Sequence, residues 1–170
     1  TGALSLSTGS ATSGTSGMVW ISSGSATSGK GGDVLINAGK GNAGEGGDVV
    51  LHAGQSAASS GGTGGSITLR SGYGSSTSSG AVLISTSNAG TLGTSGQLTF
   101  RTGTTSSGSS GVISLASGTA DGGHGGSVSF KVGGGNTAAG GDITIVSGVS
   151  SSSTGGGVWI SSGAGSSTSS

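Results

Sequence analysis

Gly39-Lys40-Gly41-Asn42-Ala43-Gly44 has the GxGxxG spacing of a dinucleotide-binding turn. That turn works only where a helix follows at once, because the helix N-terminus holds the pyrophosphate. Here an alternating aliphatic stretch follows, and a chain with 43 glycines produces such matches freely. Gly24-Ser25-Ala26-Thr27-Ser28-Gly29-Lys30 resembles a phosphate-binding loop up to its lysine. Gly31 then stands where Ser or Thr must reach magnesium. Asp33, Asp48 and Asp142 each follow a Gly-Gly pair, and Asp33 and Asp48 fall at equivalent points of adjacent repeats. Like charges so placed either stay solvated or share a cation; the residues favour solvation, so no metal is assigned. Asp121 and His124 lie close enough in sequence to hydrogen-bond, serine is abundant, and His52 is the other histidine. A nucleophile needs a positioned base and an oxyanion site as well as the residue types. The sequence therefore predicts no catalytic residue, no cofactor and no enzyme.

The segments that carry these residues are periodic. A glycine followed by alternating aliphatics recurs at Gly2, Gly17, Gly32, Gly47, Gly65, Gly80, Gly96, Gly111, Gly126, Gly141 and Gly156. The third position of each repeat reads Leu4, Val19, Val34, Val49, Ile67, Val82, Leu98, Ile113, Val128, Ile143 and Val158. The fifth reads Leu6, Ile21, Ile36, Leu51, Leu69, Ile84, Phe100, Leu115, Phe130, Ile145 and Ile160. Alternation with period two places both columns on one face of a β-strand. A seventh residue follows that is small in all repeats but the one with Val132, then glycine in every repeat but the one with Ser87, then about seven small polar residues. That eighth glycine is expected to mark a turn with positive φ or with no room for a side chain.

A repeat of this kind predicts an all-β fold: one β-solenoid of eleven coils of about fifteen residues spanning 1–170. At about 4.8 Å per coil it would extend roughly 50 Å. The columns are its expected core. Ala11, Ala26, Gly41, Ala89 and Ala120 are expected in an opposing wall. Whether the section has two sides or three, and which hand it takes, stays open. Extra residues in the repeats starting at Gly47 and Gly80 should bulge from a corner. Neither end carries a cap, and the chain starts at Thr1 without a leader. It is therefore expected to be a segment of a longer array, or to stack end to end.

Composition narrows the function. Gly, Ser (40) and Thr (20) make up over half the chain. Charged residues are 6%, against roughly 25% in ordinary domains. Zero net charge removes the footprint of a nucleic-acid binder. No apolar stretch reaches the length of a membrane span. There is no cysteine, and no Asn-x-Ser/Thr sequon, while Ser and Thr offer many sites for O-glycans. The outward fourth position carries Trp20, Leu35, Val50, Leu83 and Trp159, an apolar stripe of the kind that marks an interaction surface.

The regular glycines, alternating aliphatics and Ser/Thr-rich turns resemble extracellular β-solenoid repeat proteins along the whole chain. Two groups share these features: solenoids of adhesins and surface fibres, and ice-binding solenoids with short coils. The first implies a structural repeat unit of an extracellular fibre, sheath or surface stalk that self-associates end to end or laterally. The second implies a surface-binding module for ice or polysaccharide. Ice-binding solenoids align Thr-x-Thr ranks, whereas the outward positions here read Thr68/Arg70, Thr99/Arg101 and Ser129/Lys131. A Ser/Thr-rich return face (Thr12, Thr27, Ser75, Ser106, Ser151, Ser166) is the better candidate, though Asn42, Asp121 and Asn136 interrupt it. Both groups imply an extracellular or cell-surface location.

Overall fold

A computed structural model describes residues 2–165. Ser166 and most of the last polar stretch lie outside the described residues. The chain divides into two units, Thr1–Ile84 and Ser85–Ser170. The same local device recurs in each.

That device is a closed loop. In the first unit, bends fall at 12–14, 27–29, 42–44, 59–61 and 75–77. Each lies midway between the seventh residue of one repeat and the opening glycine of the next. The loop ends meet, and the amide of the opening glycine donates to the carbonyl of the eighth residue before it. Gly32 N donates to Gly24 O at 3.2 Å, Gly47 to Gly39 at 2.9 Å, Gly65 to Gly54 at 2.8 Å and Gly80 to Gly72 at 3.0 Å. Hydroxyls at the seventh position reinforce two closures: Thr8 Oγ1 donates to Gly17 O at 3.0 Å, and Ser23 Oγ to Gly32 O at 2.6 Å. In the second unit bends fall at 91–93, 106–108, 121–123, 136–138 and 151–153, and Gly156 N donates to Gly148 O at 2.9 Å.

The closure explains the opening glycines. A Cβ added to Gly32 would lie 3.1 Å from the Ser23 Cβ; at Gly126 it would meet the Ser117 Cβ at 3.1 Å. At Gly141 it would come within 2.8 Å of Val132 Cγ1. In these loops the two ends approach closely enough to favour a residue without a side chain, whereas at Gly80 and Gly96 an added Cβ would make only ordinary contact.

The chain departs from the solenoid expectation in three respects. First, the chain is not an all-β solenoid: residues 2–165 contain no β-strand and no helix. Alternation marks which residues share one side of an extended segment, but a strand also requires a paired neighbour. The backbone bonds outside regular structure close loops within a repeat and build no ladder between repeats. The extra residues of the Gly47 repeat lie inside the loop from Gly54 to Gly65, which still closes through the same pair of positions.

Second, the aliphatic columns are not a core, because no described residue is buried. The chain exposes 16704 Å²; at its mass of 15.3 kDa, a compact folded monomer would expose about 7,100 Å² and a fully unfolded chain about 22,000 Å². Large apolar side chains are spread thinly along a Gly/Ser/Thr chain, and within a repeat nothing packs over them.

Third, the glycine roles differ. None of the eighth-position glycines has positive φ, and a Cβ at Gly9, Gly24 or Gly39 would meet open space. Left-handed backbone falls instead at the loop tips, as at Gly14 (φ 84°) and Gly108 (φ 112°). Nor do the tenth-position residues form a wall against the columns. A Cβ at Gly41 would strike the carbonyl oxygens of Glu45 and Gly44 in its own loop, and Gly74 and Gly135 are confined in the same way.

Candidate interaction surface

Where the tenth residue bears a hydroxyl, the loop is built differently. Ser150 Oγ accepts from the amides of Ser152 (3.4 Å) and Ser153 (2.9 Å), and Thr105 Oγ1 accepts from Ser107 N at 3.3 Å. Hydroxyl-to-backbone turns of this type give the chain a bend without proline. The tenth position and the seventh-position hydroxyls organise the loops, and sequence reasoning assigned neither that role. The recurrence of Gly, Ser or Thr at the tenth position in seven of eleven repeats, with Ala in the others, was the available signal.

The phosphate-loop resemblances do not survive the geometry. In the loop containing Gly39–Gly44, the atoms crowding Gly41 are carbonyl oxygens, whereas a phosphate needs converging N–H groups. Lys30 Nζ is occupied by Asp33 Oδ2 at 2.8 Å, an exposed pair three residues apart. Asp33 therefore meets a lysine here. Among the described residues no three His, Asp or Glu side chains gather as a metal site. No hydrogen bond joins Asp121 to His124 among them.

What remains is the array of exposed apolar residues. Trp20, Leu35, Val50, Leu83 and Trp159, the stripe expected from sequence, are 66–93% exposed. From Val19 onward the third-position residues are 48–59% exposed. The third position is thus the more sheltered, whereas fifth-position residues such as Leu115 (70%) and Ile160 (87%) are as exposed as the fourth, and neither side is covered. The charged residues of these segments are also sorted by position. Asp33, Asp48 and Asp142 stand at the second position; Arg70, Arg101 and Lys131 stand at the sixth, as does His52. All are exposed.

No helix among the described residues is long and apolar enough to cross a membrane. Compared with protein-family models, with curated proteins and with solved structures, the chain matches none.

Proposed function

We propose that this chain is a structural repeat unit of an extracellular or cell-surface fibre, sheath or stalk, which covers its aliphatic columns by associating with copies of itself. The observation that carries this reading is the exposure of every third- and fifth-position aliphatic among the described residues. Exposed apolar surface on this scale marks an interaction surface. A second copy is the partner whose apolar spacing matches by construction. Each covered aliphatic contributes roughly 1.5–3 kcal/mol if fully buried, so a few repeats suffice for stable association. Low charge and abundant hydroxyls fit a hydrated extracellular material. Sedimentation velocity across a concentration series, with negative-stain imaging of the concentrated samples, tests the reading. Growing species and filaments are expected; a monomer at every concentration would overturn it.

A surface-binding module for polysaccharide is the second reading, favoured by the exposed indoles of Trp20 and Trp159. Exposed aromatic faces suit stacking against a sugar ring. Tryptophan emission should then shift on titration with soluble polysaccharide in the Trp20→Ala and Trp159→Ala single variants, and the double variant, which has no tryptophan left, should lose retention on a polysaccharide column; unchanged emission in both single variants overturns this reading.

A further inference from the structure

We propose that the copies pair with their alternating segments antiparallel, so that the second position of one segment faces the sixth of its partner. This rests on the self-association proposed above and adds its geometry. The charges carry it. Among the alternating segments, acids occupy only the second position (Asp33, Asp48, Asp142) and full cations only the sixth (Arg70, Arg101, Lys131). When two extended segments lie antiparallel and centred on their fourth residues, second faces sixth and third faces fifth. No acid then faces an acid and no cation a cation, and acid meets base wherever a repeat bearing Asp33, Asp48 or Asp142 lies against one bearing Arg70, Arg101 or Lys131. On the other side the third column, made of Val, Ile and Leu, meets the fifth, which holds both phenylalanines, Phe100 and Phe130. Smaller side chains thus face larger ones. A parallel, in-register pairing does the reverse: it sets Asp beside Asp and Arg beside Arg, and directly opposed like charges destabilise a pair.

The monomer leaves these groups available. All six are exposed, and the ion pair that Asp33 makes with Lys30 is exposed on both sides and easily exchanged.

The chain has no cysteine, so introduced thiols report pairing directly. One protein carries Ser66→Cys and Ser127→Cys at second positions; the other carries Ser22→Cys and Ser85→Cys at sixth positions. Mixed in equal amounts and oxidised, they should give second-to-sixth disulfides in excess over the random mixture, read by mass spectrometry. A Ser114→Cys variant, at a fourth position, should cross-link to itself. Predominant second-to-second and sixth-to-sixth bridges, or yields no different from random, overturn the antiparallel geometry while leaving association intact. No cross-link above a dilute control, with monomer in sedimentation, overturns association itself. A charge test is independent of thiols. Arg70→Asp, Arg101→Asp and Lys131→Asp together should weaken association at least tenfold at low salt, and mixing with Asp33→Lys, Asp48→Lys and Asp142→Lys protein should restore it. Failure to restore it overturns the pairing of acid with base.

Discussion

Glycine serves at least two separate purposes in this chain and at some positions neither, and the letter alone does not say which. Gly32 is required by a close approach, Gly14 by its left-handed backbone, and Gly24 by neither. Gly32→Ala is therefore expected to push residue 32 off Ser23 and lengthen the bond from its amide to Gly24 O, at a cost of about 0.5–1.5 kcal/mol to loop closure. Gly24→Ala should leave that bond in place. The temperature coefficient of the residue-32 amide in NMR distinguishes the two, and equal responses would contradict the closure described here. The sequence made the positions of these glycines legible through their spacing. It could not reveal the reason for each, since close approach and positive φ both select the residue without a Cβ.

At the scale of the repeat, much was legible. The period, the division into apolar and polar stretches, and the location of the insertion in the Gly47 repeat all follow from residue order. The partner of each apolar segment was not legible, because alternation records which residues share a side and says nothing of what covers that side. Ile113 and Leu115 show the consequence. Read as core, they should tolerate no charge; at 53% and 70% exposure neither is buried in the monomer. Ile113→Asp should accordingly leave the circular dichroism of the dilute chain unchanged. It should nonetheless weaken self-association about tenfold or more, since burying an isoleucine between copies contributes roughly 1.5–3 kcal/mol. Ser114→Asp, on the other side of the segment, should weaken it less. Equal effects at the two positions would argue against the aliphatic side as the covered one.

For the molecule as a whole, the absence of any buried residue among those described sets the thermodynamics. Ordinary domains unfold with a heat-capacity increase of about 12–15 cal/mol/K per residue because buried apolar surface meets water. A chain whose aliphatics are already wet has little left to expose. Calorimetry of the dilute protein should show no cooperative endotherm, while concentrated, associated material should show one. A sharp concentration-independent transition would mean that a core exists within the single chain. The candidate surface was half legible at this scale. The stripe through Trp20 and Trp159 is an expectation from alternation, and the sorting of acids from bases was equally present in the residue order once the repeats are aligned by position.

The loop closures carry one more implication. Every clasp joins residues eight or nine apart, or eleven to twelve across the insertion, so the contact order of the loops is low and each can form alone. Loops of this size close in about 10–100 ns, with no need to wait for distant parts of the chain. Copy number is then a free variable. Excising residues 111–125, one full period, should leave the amide shifts of the loops in Thr1–Ile84 where they were, and so should duplicating them. A gene encoding such an array can lengthen or shorten by unequal recombination in steps of one period, and each product inherits working loops at once.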